Sequence, residues 1–439
     1  MGLFFGTDGL RGKVNEDLTQ DIAYKIGNAL SILKEKPTII IGSDTRISNT
    51  YLTLSVANGA MSGGAKVIDV GVVPTAGIAY ITRKTKADFG VVISASHNSG
   101  EYNGIKIFNS NGYKLSDKEE ERIERCFIRE KINDFPNIGT YEQDFTLIKL
   151  YRDFLIQASQ SRLDGLTIVL DGAYGAAHRI APEVFRKLGA SVIAANCVNQ
   201  GLKINDNCGA LYPENLVKRV FRYKANMGFA FDGDADRLIA VDEKGSIIDG
   251  DKIICAIAKY LKKLGKLKNN TAVGTSHTNM AIEEELKNCG IDFIRTDIGD
   301  KYVLAKLIEK DLSVGGEQSG HVILKDLATT GDGILTAIII ANMIIKEKTT
   351  MSRALNIDLY PQSNKSVIVD DKFRIMNSDE LIKAITKYNA ELNGTGRLMI
   401  RASGTEPKIR VMVESKDSEL NDKIAGSMVT LIKNINSNV

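Results

Sequence analysis

The chain has 439 residues, 43% hydrophobic and 25% charged, with 7 Pro. That is a length of about three domains at about 150 residues each, with enough apolar content for more than one core, which excludes a mini-protein and a largely disordered chain. Lys+Arg 57 against Asp+Glu 54 leaves a net charge of +3, so bulk charge suggests neither a nucleic acid nor an acidic membrane surface as partner.

At the start, MGLFFGTDGLRG carries neither the basic opening nor the long apolar stretch of a signal peptide, and a cytoplasmic protein is expected. Short β-branched runs then alternate with helical stretches, at 38–41, 66–73, 89–93, 166–170, 228–231, 272–274 and 293–296. ADFGVVIS and LTIVLDGAYG are continuous rather than alternating, as in strands covered on both faces. These features predict an α/β architecture with mixed or parallel sheets. The run 334–345 is interrupted by Thr336 and Asn342. It falls short of the roughly 20 residues that cross a bilayer and reads as a buried helix.

Several predicted strands end in a small polar or acidic turn: GSD at Gly42, ISAS at Ile93, LDGA at Leu170, FDGD at Phe231, GTS at Gly274 and GGEQSGH at Gly315. The repetition predicts three related α/β units whose active turns lie at the C-terminal ends of strands, where open sheets bind ligands. Beyond Gln362 the pattern changes to SVIVDD, a helix near 378–390 and the hairpin-like LMIRASGTEPKIRVMVES, a smaller α+β unit. The expected domains are 1–150, 151–248, 249–362 and 363–439. Cys126, Cys197, Cys208, Cys255 and Cys289 are scattered, without a CxxC pair, which fits a reducing compartment and neither a disulfide framework nor a zinc site.

Five stretches carry the candidate chemistry. In FDGDADR, Asp232, Asp234 and Asp236 alternate after an apolar run. Three hard carboxylates converging there suit Mg²⁺ or Ca²⁺ and would repel one another without a cation. An EF-hand would place Glu243 at loop position 12, but Arg237 stands where its tight turn needs Gly. A solvated acidic turn is the plain alternative. In VISASHNSGEYNGIKIF a strand enters a Ser, His, Asn and Gly loop and leaves through a strand bearing Lys106. Ser94, Ser96 and Ser99 are all chemically able nucleophiles there, and a backbone-serving Asx turn is the alternative. RASGTEPKIR reads as a phosphate cradle, with Arg401 and Arg410 flanking small residues that let backbone N–H groups approach an anion; a β-turn would use the same residues. GGEQSGH sets Glu317, Ser319 and His321 on alternate positions of a glycine-rich loop fit to meet sugar hydroxyls. FGTDGLRG adds Arg11. Neither a Walker A motif nor a complete GxGxxG is present, which removes the usual supports for nucleotide hydrolysis and dinucleotide redox chemistry.

These stretches, in this order and from FGTDGLRG to RASGTEPKIRVMVE, resemble the α-D-phosphohexomutase family over essentially the whole chain. The resemblance implies three related α/β domains plus a smaller C-terminal domain around a central cleft. It implies that Ser96 carries a phosphoryl group and that Asp232, Asp234 and Asp236 hold one Mg²⁺ together with that phosphate. Lys106, Arg11 and His97 match residues near the reacting phosphate, where they offset charge and help move a proton, and Arg237 closes the metal motif. Glu317 and Ser319 match the sugar-binding loop. Arg401, Ser403, Gly404, Thr405 and Arg410 match the loop that holds the phosphate not being transferred. A sugar bisphosphate would serve as priming activator.

Gln318 within GEQSGH resembles the glucosamine branch, so the expected substrate pair is glucosamine 6-phosphate and glucosamine 1-phosphate, feeding UDP-N-acetylglucosamine and cell-wall synthesis. Mannose or glucose phosphates are the alternative. Ser99 stands where the family usually has Pro, Lys301 where Arg is common, and TSHTNM at 275–280 replaces a VMSN-type stretch. Without proline's fixed φ the catalytic loop is expected to be looser. A sensor without turnover would lack the nucleophile or the carboxylates, all of which are present; a phosphatase would use the same parts with water as acceptor. A homodimer is compatible with the sequence and not specified by it.

Overall fold

The computed structural model describes residue 6 and residues 8–128, 138–403 and 406–437, without the side chains of 127 and 128. It divides into two compact units, Met1–Thr278 with Cys289–Asn356, and Asn279–Asn288 with Ile357–Val439.

The first unit contains three sheets. One is built from β1 (Leu10–Lys13), β2 (Thr38–Ser43), β3 (Lys66–Val72), β4 (Phe89–Ile93), β5 (Tyr102–Asn109) and β6 (Thr140–Gln143), in the order β1-β5-β4-β2-β3-β6. The second has β7 (Thr167–Asp171), β8 (Ser191–Ala195), β9 (Met227–Phe231), β10 (Leu238–Asp242) and β11 (Ile247–Ile248), ordered β11-β10-β9-β7-β8. The third has β12 (Thr271–Thr275), β13 (Asp292–Thr296), β14 (Val314–Gly316) and β15 (Val322–Leu324), ordered β13-β12-β14-β15. The expected strands are all present, within a residue or two at each end. The central ones, β4 and β9, are buried at every position, which explains their unbroken apolar runs.

All three sheets share one topology. The chain leaves a central strand (β2, β7 or β12), adds a parallel neighbour on one side, then returns to the other side of the central strand. The last strand of each set pairs antiparallel with its successor, β4 with β5, β9 with β10 and β14 with β15. Strand order therefore reverses beside β2, β7 and β12, and a crevice opens at the carboxyl ends of the strands on either side of the reversal. The serine, aspartate and glutamate loops follow β4, β9 and β14 at these equivalent places. The predicted buried helix is Gly333–Glu347, capped by Asp332, whose side chain accepts from Leu335 N at 2.9 Å.

The second unit has one antiparallel sheet of β16 (Gln362–Ile368), β17 (Gly396–Ala402) and β18 (Lys408–Ser415), ordered β16-β18-β17. The predicted hairpin is the β17–β18 pair, with Arg401 opposite Arg410. Helices Asp379–Glu391 and Ser418–Ser437 accompany the sheet, and Val411, Val413, Ile424 and Met428 form part of its core. Helix Met280–Asn288, which the sequence places in the 249–362 segment, belongs to this unit. Asn279 and Tyr360 tie it there by two 3.0 Å side-chain-to-backbone bonds.

Candidate active site

The loop after β4 puts Ser96 in the left-handed region at φ 52°, unusual for a residue with a side chain. Its Oγ donates to Asp232 Oδ2 at 2.6 Å, although 136 positions separate the two residues, and lies 3.3 Å from His97 Nδ1. Of the three serines left open by chemistry, only Ser96 among the described contacts reaches the aspartates. Ser94 Oγ accepts from the Ser96 N–H at 2.9 Å and donates to Asp44, and Ser99 turns to Glu101 at the exposed side.

The loop after β9 brings Asp232, Asp234 and Asp236 together, with one oxygen from each lying within 4.8 Å of the others, all three buried. Lys106 on β5 enters from the first sheet. Its Nζ is 2.8 Å from Asp234 Oδ2, 3.0 Å from Asp236 Oδ2 and 3.0 Å from Asp8 Oδ2. Thr75 holds Asp234 through its hydroxyl at 2.6 Å and through its N–H to the Asp234 carbonyl at 3.0 Å. Arg237 N donates to Asp232 Oδ1. Gly233 is required by close approach, because a Cβ there would stand 2.5 Å from the Ser96 carbonyl oxygen.

Burial, followed by the charges of Asp236 and Asp234, pushes the Asp232 carboxyl well above the usual range. Burial also acts against the Asp236 charge, but Lys106 and then His321 hold its carboxyl well below that range. The carboxylates are therefore not equivalent, and Asp232 carries the unrelieved repulsion. Asp234 Oδ1 and Asp236 Oδ1 are buried without a hydrogen-bond partner, the latter 3.6 Å from His321 Nδ1. Close, buried, hard oxygen donors with free lone pairs fit a small divalent cation.

Burial, with Arg237 and Arg11 nearby, lowers the His97 pKa to about 3, which favours the neutral ring, able to accept a proton. The positive charge comes from Lys106, Arg11, which pairs with Asp8, and Arg237.

In the loop after β14, Glu317 accepts from Gly299 N at 3.0 Å, and burial raises its pKa. Ser319 Oγ is buried with no hydrogen-bond partner. Gln318 donates to Asp249 at 3.3 Å, the residue that caps helix Gly250–Lys263, so this side chain supports the loop's base. His321, quoted in the motif without a role, bridges Asp236 and Asp300 at 3.6 and 3.5 Å. Burial opposes its charge, but those carboxylates raise its pKa to about 9. Asp300 also accepts from Lys114 at 2.5 Å, and Lys114 pairs with Asp8. The sequence reading missed Asp8, Lys114 and Thr75. Asp8 lies inside the quoted FGTDGLRG; nothing local marks Lys114 or Thr75.

The second unit holds Arg401, Ser403 and Arg410; Gly404 and Thr405 lie outside the described residues. Arg401 and Arg410 are cross-strand partners. Burial and the Arg410 charge lower the Arg401 pKa, the effect of a like charge alongside, and Arg410 pairs with Glu406 at 3.2 Å. Ser403 Oγ accepts from Glu406 N at 3.4 Å and its carbonyl from Lys372 Nζ at 2.6 Å.

Fold and site together define a multidomain α/β protein whose equivalent strand-end loops meet at a buried serine, three carboxylates and several cations. The chain matches the phosphoglucomutase/phosphomannomutase family in four parts: alpha/beta/alpha domain I over residues 2–134, domain II over 149–245, domain III over 249–360 and the C-terminal domain over 365–431. It belongs to that family. It is 44% identical to the phosphoglucosamine mutase of Carboxydothermus hydrogenoformans, over 99% of this chain and 100% of the relative. To that of Clostridium botulinum it is 45% identical, over 99% of both. Among solved structures, a phosphoglucomutase/phosphomannomutase family protein from Burkholderia thailandensis superposes with TM-score 0.82 at 22% identity, over 97% of both chains. An N-acetylphosphoglucosamine mutase from Aspergillus fumigatus, solved with GlcNAc-6P and magnesium, gives 0.68 at 17%, over 99% of this chain and 96% of that one. At those identities the two structures show the shared fold.

Proposed function

We propose that this chain interconverts glucosamine 6-phosphate and glucosamine 1-phosphate through a phosphoserine and a sugar bisphosphate, supplying UDP-N-acetylglucosamine and cell-wall synthesis. The observation that carries the reading is the buried 2.6 Å contact of Ser96 Oγ with Asp232, inside a carboxylate set faced by Lys106. Full-length identity of 44–45% to phosphoglucosamine mutases supports the choice of sugar.

In the forward direction the bond between phosphorus and Ser96 Oγ breaks while one forms to the sugar O1, giving glucosamine 1,6-bisphosphate. The sugar hydroxyl gives up a proton and Ser96 Oγ regains one, and neutral His97, 3.3 Å from that oxygen, is placed to exchange it. The bisphosphate turns, and its 6-phosphoryl group passes to Ser96, which restores the phosphoenzyme and leaves glucosamine 1-phosphate. A trace of the bisphosphate primes unphosphorylated enzyme.

Lys106, Arg11 and Arg237 stabilise charge on the phosphoryl oxygens as the group moves. Glu317 and Ser319 orient the sugar by its hydroxyls. Arg401, Ser403, Gly404, Thr405 and Arg410 grip the phosphate that is not transferred. Asp232, Asp234, Asp236 and the Ser96 phosphate would hold one Mg²⁺ per chain, which when bound offsets their charge and polarises the phosphoryl oxygens. Among the described residues no helix is long and apolar enough to cross a membrane; a cytoplasmic location is part of the proposal.

Phosphorus NMR with Mg²⁺ and a trace of the matching bisphosphate tests the reading, with glucosamine, glucose and mannose 6-phosphates compared in parallel. Conversion of the glucosamine ester to its 1-phosphate is expected, and Ser96→Ala should abolish it. Faster turnover of glucose or mannose phosphate would overturn the substrate assignment, and free phosphate as the sole product would identify a phosphatase.

A further inference from the structure

Ser96 needs its side chain aimed at the aspartates from a left-handed backbone, and both peptide groups flanking its Cα are tied down. The N–H is held by Ser94 Oγ at 2.9 Å. The carbonyl oxygen is held from two sides, by Arg46 Nη2 at 3.0 Å and by Asn205 Nδ2 at 2.8 Å. The same two side chains hold the Asn98 carbonyl, Arg46 at 2.7 Å and Asn205 at 2.9 Å.

Arg46 comes from the turn after β2 and its side chain is fully buried. Nη1 donates to the carbonyls of Tyr102, at 2.9 Å, and Ser99. Nε donates to Asp44 at 2.9 Å, the carboxylate that accepts from Ser94 Oγ at 2.6 Å. Every guanidinium nitrogen is thus spent on the serine loop or on the carboxylate behind it, and four carbonyls converge on one planar fork. Asn205 approaches from the loop between β8 and β9. Its own backbone is left-handed at φ 60°, and its N–H donates to Ala173 at 3.0 Å. Pinning the carbonyl of Ser99 also supplies constraint that the proline expected at that position would otherwise provide.

We propose that Arg46 and Asn205 are positioning residues for phosphoryl transfer at Ser96, a clamp from two sheets that fixes the direction of its Oγ; the inference rests on the phosphoserine reading above. Neither residue touches the aspartates in any described contact, so loss of the clamp moves the reacting oxygen without removing a charge or ligand from the centre. In-line transfer is sensitive to such displacement, to about a hundredfold per ångström.

The test uses full-length Asn205→Ala and Arg46→Lys, assayed with Mg²⁺, a trace of glucosamine 1,6-bisphosphate and glucosamine 6-phosphate, beside Ser96→Ala. Expected are a kcat lower by about tenfold for Asn205→Ala and about a hundredfold for Arg46→Lys, with KM within about twofold, because positioning is lost and substrate contacts are kept. Single-turnover transfer from phospho-Ser96 should slow by the same factors. Asn205→Ala, which loses two buried bonds at a left-handed position, should unfold a few degrees below the parent yet stay folded at the assay temperature, and this variant decides the matter if Arg46→Lys does not fold. An unchanged kcat in folded Asn205→Ala, or a rise in KM alone, overturns the clamp while inactive Ser96→Ala leaves the mutase reading standing. Activity in Ser96→Ala overturns both.

Discussion

The charged centre of the first unit and the arginine hairpin of the second are built on opposite electrostatic plans. At the centre, Lys106 is 1% exposed and the aspartates at most 1%; Asp234 and Asp236 meet Lys106 at 2.8 and 3.0 Å and each keeps an open lone pair, while Asp232 is held by the Ser96 hydroxyl and the Arg237 N–H. In the hairpin, Arg401 is half-buried, Arg410 is exposed and the two arginines face each other across the strands. Buried charges interact strongly and must be placed accurately, whereas exposed ones are weakened by water and salt. The first arrangement suits stabilisation of a transition state, the second reversible capture of an anion.

The sharpest way to break that contrast is Asp234→Asn, which removes charge from the centre and keeps its shape. We expect kcat to fall by at least about a thousandfold with the fold intact by circular dichroism. Arg401→Ala combined with Arg410→Ala should instead raise KM by about tenfold, with kcat within about threefold. Salt should sharpen the distinction further, since going from about 0.05 to 0.5 M should raise KM in the parent by severalfold and leave kcat nearly constant. A double arginine variant that lost kcat as severely as Asp234→Asn would show that the two regions do not divide the work.

A smaller effect tests burial itself away from the centre. Asp332 caps the apolar helix and accepts from Tyr151 at 2.9 Å, and burial pushes its carboxyl up to about 6 from 3.8. The folded chain holds this proton more tightly than the unfolded chain, so the contribution is most favourable below about pH 4 and is lost as pH rises through 6, by about 3 kcal/mol at most. Asp332→Asn keeps the cap without the titration. The parent's unfolding midpoint, relative to the variant's, should fall between pH 4 and 6 and then level off; parallel curves would refute the shift.

The strands, the buried helix and the motif loops were legible because each depends on neighbours within about ten residues. Unbroken apolar runs mark strands covered on both faces, and glycine-rich acidic turns mark their ends. The aspartate triplet needed no tertiary information either, since alternate carboxylates in one turn cannot avoid one another. What the sequence did not show is that helix Met280–Asn288 packs with the second compact unit, because the bonds that tie it there run from Asn279 to Tyr360. Gln318, read as a marker of sugar preference, spends its amide on a helix cap.

The sequence by itself determined the secondary structure, the three repeated strand-end loops and which loops carry the serines, carboxylates and arginines. Tertiary structure decided which serine meets the carboxylates, that burial and cations lower the His97 pKa while carboxylates raise that of His321, and that Arg46 and Asn205 hold the loop between them. Periodicity and turn chemistry act over a few residues. A pKa or a hydrogen bond depends on groups brought together from 136 positions apart, as Ser96 and Asp232 are, and only the folded chain sets that distance and excludes the water between them.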